Sequence, residues 1–182
     1  MRNRAGALIV AVLTAASLAV GVAGSAGAST GEKKSKAPLC AGKTKAKALK
    51  DIEAAYFAFL DAATSPTADD KLPFIQYLSG KKENPELIAA FKASAEKNAA
   101  AAATTSVEVD EITCTGKKSA EVIFTLVIQG GRLDGLAPPG AAVLEGKVWK
   151  VTALTLCNMQ ALGDPTVLEA GPCSEIVLEE EA

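Results

Sequence analysis

The sequence predicts an α+β fold in which three N-terminal helices pack on a curved four-stranded antiparallel sheet, in a cone-like arrangement. Two observations carry this prediction. Apolar residues recur at helical spacing between residues 47 and 103, and from Ser106 onward the apolar period changes to two. Helices that precede an antiparallel sheet in the chain are expected to cover one of its faces.

Each of the three helices has its own start or stop signal. The first is predicted over residues 47–63, where an apolar stripe follows the helical period. Thr67 is expected to cap a second, shorter helix that closes at Ser79-Gly80. Asn84-Pro85-Glu86 combines a preferred N-cap, a preferred first residue and a first-turn acid, so a third helix is predicted from there to about Ala103.

Four strands are predicted after the helices. They cover residues 106–114, 119–129, 141–144 and 148–156. The alternation slips at Asp110-Glu111, which predicts a β-bulge. Ile123 and Val127 give the second strand apolar residues on its other face, so it is expected to be central and covered on both sides. One helical turn is expected over 157–162.

The N-terminus has the pattern of a signal peptide over residues 1–28. Arg2 and Arg4 precede an apolar run, and Ala26-Gly27-Ala28 is a cleavage pattern. An uncleaved membrane anchor is the alternative, since residues 5–28 carry no charge. Cleavage is favoured because the second half of the run consists of small residues. The protein is therefore expected to be secreted and extracellular, with the cell envelope as a second location.

The remaining chain divides into three parts. Residues 29–46 are predicted to be a basic flexible linker, because lysines alternate there with Gly, Ser and Pro. Residues 47–174 form the α+β domain, and residues 175–182 an acidic tail expected to fray. The linker is interpreted as a spacer, with a membrane-surface tether as the alternative. Membrane contact is expected only through the signal segment or this linker.

Four cysteines follow the predicted signal peptide, and an even count in an exported chain predicts two disulfides. They are Cys40, Cys114, Cys157 and Cys173. Three connectivities are possible. The preferred one joins Cys157 to Cys173 in a local loop and Cys40 to Cys114 between the N-terminal segment and the sheet. Unpaired core thiols are the alternative.

Composition excludes several classes of function. The 182 residues contain no histidine, which removes imidazole bases, Ser-His-Asp catalysis and histidine metal sites. The net charge of −2 gives no general attraction to nucleic acid, so no nucleic-acid partner is expected. Cysteine spacings contain no C-x-x-C pair, and phosphate-binding glycine motifs are absent, so neither a metal nor a cofactor is predicted.

Two segments resemble a known family. The run from Gly146 to Leu162, with Trp149 and Cys157, resembles the terminal strand of small exported actinobacterial proteins related to the mycobacterial low-molecular-weight secreted antigen. The stretch Ala55-Tyr-Phe-Ala-Phe-Leu-Asp61 adds a weaker match. The family is similar in turn to the nuclear-transport-factor-2-like cone fold. The resemblance covers roughly residues 46–163 and implies export and a cone-shaped domain, without any catalytic residue.

Six aromatic residues from the helices and the sheet are candidates to line an apolar ligand site inside the cone: Tyr56, Phe59, Phe74, Phe91, Phe124 and Trp149. The favoured interpretation is that these residues simply fill the core. The ligand site is the alternative. Only 4% of the chain is aromatic and alanine is abundant, so a cavity for an apolar small molecule is possible.

The favoured function is therefore an exported, non-enzymatic binding domain of unknown ligand. One alternative is an extracellular or envelope protein–protein interaction module that uses the sheet face or the loop Gly130–Gly140. Another is an isomerase-like enzyme in which Tyr56 stabilises an enolate, as a tyrosine does in ketosteroid isomerase. The sequence offers no matching apolar setting for a partner aspartate, so this reading is disfavoured.

Overall fold

The computed structural model describes residues 37–135 and 137–181. Its α-helices are α1 Lys45–Leu60, α2 Ala68–Lys71, α3 Pro85–Lys97, α4 Ala99–Ala102, α5 Ala153–Ala161 and α6 Pro172–Glu181. Its strands are β1 Thr105–Cys114, β2 Ser119–Ile128, β3 Gly131–Leu133, β4 Gly140–Glu145 and β5 Val148–Val151. Short 3-10 turns cover Gly42–Thr44, Leu72–Phe74 and Pro165–Leu168. The predicted signal peptide, residues 1–28, lies outside the described residues.

The strands form one curled antiparallel sheet, which confirms the α+β, cone-like class. The order β1-β2-β4-β5 contains the four predicted strands. The short strand β3 was not predicted, and it pairs with the end of β2 at Leu126–Ile128, whereas β4 pairs with β2 at Ser119–Val122. β2 is therefore central, because β1 occupies its other edge along its whole length.

The predicted β-bulge is confirmed in β1. The register with β2 shifts between Val109 and Glu111, which leaves Asp110 as the extra residue. The Thr125 hydroxyl of β2 donates a hydrogen bond of 2.9 Å to the Asp110 carboxylate. The prediction that β2 is covered on both faces is wrong at Ile123, which is 38% exposed.

The helix α1 packs against β1 and β5 and supplies the centre of the core. Ile52, Tyr56 and Phe59 on its apolar stripe are all buried, and they meet buried sheet residues such as Val122 and Trp149. Full burial of side chains of this size stabilises the fold by about 1.5–3 kcal/mol each. The helical periodicity of the sequence therefore identified the packing face correctly.

The two predicted N-caps are confirmed. Thr67 and Asp70 form a reciprocal capping box at α2, and the Asn84 side chain accepts from two backbone amides at the start of α3. The second helix ends earlier than predicted, because the chain passes into a 3-10 turn and leaves it at Phe74. The third is interrupted at Asn98, so α4 follows as a separate turn.

The predicted last strand, residues 148–156, is wrong in its second half. β5 ends at Val151, and α5 begins at Ala153. The reason is local: the Thr152 hydroxyl accepts from the backbone amide of Thr155, which caps a helix at this point.

Both ends of the described chain are more ordered than the sequence suggested. The flexible linker predicted over 29–46 does not hold for residues 37–46, since Cys40 is buried and the Trp149 indole donates a 2.7 Å hydrogen bond to the Pro38 carbonyl. The tail predicted over 175–182 begins within α6, where Ile176 is buried.

Two disulfides fasten these ends to the domain. The structure joins Cys40 to Cys114 and Cys157 to Cys173, the two preferred pairs, with Cα–Cα distances of 5.8 and 5.6 Å. The first ties the N-terminal segment to the end of β1. The second ties α5 to α6, so each bridge holds a peripheral segment against the fold.

Candidate functional site

The helices and the sheet line an open cavity of about 460 Å³, which we call the helix–sheet cavity. Its walls come from α1 to α5, from the start of β1 and from the ends of β2 and β3. Most of the lining is apolar: Phe59, Leu60, Phe91, Ala95, Ala101, Ala102, Leu126, Ile128, Leu133, Leu156, Met159 and Leu162. A volume of this size falls within the range of small-molecule sites.

Small side chains keep the cavity open on the helical side. Ala95 on α3 and the pair Ala101 and Ala102 on α4 line it with single methyl groups. The break at Asn98 separates the two helices, so α4 runs on as its own turn above the end of β2. Larger residues at these positions would occupy the space that is now free.

Few polar groups line the cavity. They are Lys71, Ser94, Asn98, Thr105, Gln160 and the backbone at Gly163. The Nζ of Lys71 donates a 2.8 Å hydrogen bond to the Phe59 carbonyl at the C-terminal end of α1. Burial lowers the pKa of Lys71 below its ordinary value, an effect partly opposed by Asp61 and Asp70. Gln160 has a buried amide nitrogen with no hydrogen-bond partner.

A second, smaller pocket of about 290 Å³ lies beside the helix–sheet cavity. It is formed by α3, the end of α5 and the segment that leads into α6, with Pro172 and Cys173 on its wall. The two spaces share Ser94, Asn98, Gln160 and Gly163 as lining residues. These four residues therefore lie between the two pockets.

The structure divides the six aromatic residues predicted to form the ligand site. Phe59 and Phe91 line the helix–sheet cavity. Tyr56, Phe124 and Trp149 are core residues that line neither pocket, and Phe74, which is half-buried, also lies outside both linings. The structure therefore does not bring all six into one cavity, and Tyr56, Phe124 and Trp149 belong to the core.

Tyr56 shows why the aromatic core leaves no room for a ligand there. Its side chain is fully buried, its ring centroid lies 5.2 Å from that of Phe124, and its hydroxyl donates to the Ala141 carbonyl at 3.2 Å. A Cβ at Gly140 would overlap with the Tyr56 hydroxyl and lie 3.0 Å from Phe124 and Thr155. Glycine is thus required at 140 by packing, and Tyr56 has no access to a substrate.

Several cavity residues were not predicted as a site. Leu126, Ile128, Leu133 and Met159 come from segments that are distant in sequence and meet only in the folded domain. The abundance of alanine indicated free space in the sequence, and the run from Ala99 to Ala102 supplies two of the alanines that line the cavity.

The loop Gly130–Gly140, considered as a contact surface, folds back on the domain. Its first residues form β3, and Leu133 lines the helix–sheet cavity. Arg132 forms ion pairs with Glu108 on β1 and with Asp134. The side chains of Arg132 and Leu133 therefore both contact other residues of the domain.

A family model matches residues 45–166, two thirds of the chain, and its description is the C-terminal domain of the low molecular weight antigen MTB12. The chain belongs to this antigen family. Neither a curated protein nor a solved structure matches it. The likeness to the nuclear-transport-factor-2-like fold therefore stays a prediction.

The antigen domain of MTB12 type contains the whole lining of the helix–sheet cavity, from Phe59 to Gly163. Cys40 and Cys173 lie outside the matched range, whereas Cys114 and Cys157 lie inside it. Each disulfide thus connects the antigen domain to a flanking segment.

Within residues 37–135 and 137–181, none of the helices has the length and hydropathy of a membrane span. The same residues contain no group of three or more Cys, Asp or Glu side chains that could hold a metal ion.

Proposed function

We propose that this antigen domain is an exported, non-enzymatic binding protein that holds an apolar small molecule in the helix–sheet cavity. The cavity itself carries the proposal, because about 460 Å³ of space lined mainly by aliphatic side chains remains beside a well-packed core. Concave spaces lined mainly by apolar side chains with a few polar groups are the usual form of small-molecule sites. An open apolar pocket of this size therefore favours a small apolar ligand.

Export is supported by the cysteines. All four are paired among the described residues, and disulfides persist in oxidising environments outside the cytoplasm. The family's antigen character and the N-terminal signal pattern support the same location. A secreted domain with an open apolar cavity is suited to carrying a poorly soluble molecule.

The alternative of a protein–protein interaction module has less support. The large apolar residues that are exposed in the described part are Ile123 on β2, Val148 on β5 and Leu162 after α5. They belong to different elements, and Leu162 lines the helix–sheet cavity. In the loop 130–140, Leu133 lines the same cavity and Arg132 is paired with Glu108 and Asp134.

A cavity-filling variant tests the proposal. We expect the uncharged fluorophore N-phenyl-1-naphthylamine to bind the wild-type protein with a blue-shifted, enhanced emission. Ala102→Phe, which places a ring in the cavity wall, should weaken this binding about ten-fold or more. Ala103→Phe is the matched control, because Ala103 is the exposed neighbour and is not part of the lining.

The control variant should bind the fluorophore like the wild type, since both substitutions exchange alanine for phenylalanine at the end of α4. Equal binding by Ala102→Phe and the wild type would place the fluorophore elsewhere and contradict the proposal. Failure of the wild type to bind any uncharged apolar probe would contradict it as well, and would favour surface partners instead.

A further inference from the structure

We infer that the occupant of the helix–sheet cavity is an aliphatic carboxylic acid, whose anionic head group pairs with Lys71. The inference rests on the proposed function, since it concerns the ligand of the same cavity. It follows from the position, charge and existing contacts of this one lysine and from the chemistry of the surrounding walls.

Lys71 is the charged residue of the cavity. Every other residue that lines the cavity in the described part of the chain is apolar, a glycine or an uncharged polar residue. A cation beside apolar walls is poorly solvated, and burial accordingly lowers the pKa of Lys71. An anion bound next to it would restore favourable electrostatics, because opposite charges attract more strongly where water is excluded.

The ammonium group of Lys71 retains the capacity to bind such an anion. Among the described residues its one hydrogen bond goes to the uncharged Phe59 carbonyl, and an ammonium has three donors. No carboxylate in the described residues lies within 4 Å of it. By contrast, Lys92 on the neighbouring helix pairs with Asp69 at 2.6 Å.

The two acids whose charges act on Lys71, Asp61 and Asp70, have other hydrogen-bond partners. The Asp61 carboxylate accepts from the Thr64 backbone amide at 2.9 Å. The Asp70 carboxylate accepts from both the backbone and the hydroxyl of Thr67 in the capping box. These acids act on Lys71 only at longer range, so they do not replace a direct counter-ion.

The walls define the rest of the ligand. Leu126, Ile128 and Leu133 from the sheet and Leu156 and Met159 from α5 all line the cavity, so its surface is mainly aliphatic. Unbranched hydrocarbon fits such a wall, and methionine adapts to irregular shapes. A single cation at the end of α1 combined with aliphatic walls favours an aliphatic chain with one terminal carboxylate.

The test compares two ligands that differ in the head group, dodecanoate and 1-dodecanol, on the intact chain from residue 29. Binding is measured by displacement of N-phenyl-1-naphthylamine at neutral pH. We expect the wild-type protein to bind dodecanoate about ten-fold more tightly than the alcohol, which corresponds to about 1.4 kcal/mol. Lys71→Met should lose this preference while its affinity for the alcohol stays unchanged.

Two variants control the result. Lys92→Met removes a nearby positive charge that does not line the cavity, and it should keep the preference for dodecanoate. Lys71→Arg keeps the charge and should keep most of the preference. Together they separate the specific role of Lys71 from the net charge and from a general loss of folding.

The outcomes distinguish this inference from the proposed function. Equal wild-type affinity for the acid and the alcohol, or a preference that survives Lys71→Met, would overturn the role of Lys71 and leave the apolar cavity as a binding site. Failure of the wild type to bind the fluorophore and both ligands would overturn the binding function, and the inference with it.

Discussion

Tyr56 joins the helical half of the domain to the sheet through one buried hydroxyl. The hydroxyl donates to the Ala141 carbonyl on β4, and the ring packs against Phe124 on β2. Burial raises the pKa of Tyr56 well above its ordinary value, although the nearby Thr155 hydroxyl opposes this effect. The folded protein therefore holds the neutral phenol.

This raised pKa makes stability sensitive to alkaline pH. Above about pH 10 the unfolded chain ionises Tyr56 while the folded protein retains the proton, so the free energy of unfolding falls by up to about 1.4 kcal/mol per pH unit. We expect Tyr56→Phe to lack this contribution. At pH 7 the variant should be about 1 kcal/mol less stable because it lacks the hydrogen bond to Ala141.

Chemical denaturation at pH 7, 9, 10 and 11 measures the effect. The stability difference between the wild type and Tyr56→Phe should shrink as the pH rises above 10. The titration of Lys71 and of the other lysines is common to both proteins and cancels in this comparison. Two parallel stability curves would show that Tyr56 ionises equally in the folded and unfolded states.

At the scale of secondary-structure elements, α3 depends on its cap. The Asn84 side chain accepts from the backbone amides of Glu86 and Leu87 at 3.1 and 3.0 Å. We expect Asn84→Ala to cost about 1 kcal/mol, which lowers the Tm by about 2–4 °C in a domain of this size. Asn84→Asp retains the acceptor and should stay close to the wild type. The Tm is measured by thermal unfolding followed by circular dichroism. Equal Tm values for Asn84→Ala and Asn84→Asp would contradict the capping role of Asn84.

The elements that the sequence predicted well are those with local signals. The caps at Thr67 and Asn84, the bulge at Asp110 and the alternation of β2 each depend on residues within a few positions. The segment after Val151 carries two overlapping patterns. The alternation of apolar residues continues into Ala153. The chain nevertheless forms a helix from there, because Thr152 caps it and Leu156 and Cys157 are both buried.

The cavity was predictable only in part, because its walls are assembled by the fold. Phe59 and Phe91 were identified as lining residues from their aromatic character alone. Lys71 on α2 and Met159 on α5 line the same cavity only in the folded domain. The pattern of residues within one element does not show which distant elements will lie beside it. In the sequence, the core aromatics Tyr56 and Trp149 also cannot be distinguished from aromatic residues that bind a ligand.

At the scale of the whole molecule, the antigen domain is held between two covalently attached segments. The matched region, residues 45–166, contains the sheet, the core helices and the cavity. The N-terminal segment is attached through Cys40 and the Pro38–Trp149 hydrogen bond, and α6 is attached through Cys173. The two bridges close loops of very different length, with sequence separations of 74 and 16.

Loop length predicts which bridge matters more for stability. In the chain-entropy model, removal of Cys40–Cys114 costs about 4.4 kcal/mol and removal of Cys157–Cys173 about 3 kcal/mol. We expect the double variant Cys40→Ser/Cys114→Ser to unfold at a lower guanidinium concentration than Cys157→Ser/Cys173→Ser. Its Trp149 emission should also shift to longer wavelength under native conditions, because release of Pro38 exposes the buried indole. The second variant should keep the wild-type emission, since α6 does not contribute to that contact. The opposite result would be a lower guanidinium midpoint for Cys157→Ser/Cys173→Ser, with an unchanged Trp149 spectrum in both variants. It would mean that the N-terminal segment stays in place without its bridge and that the fold depends more on α6.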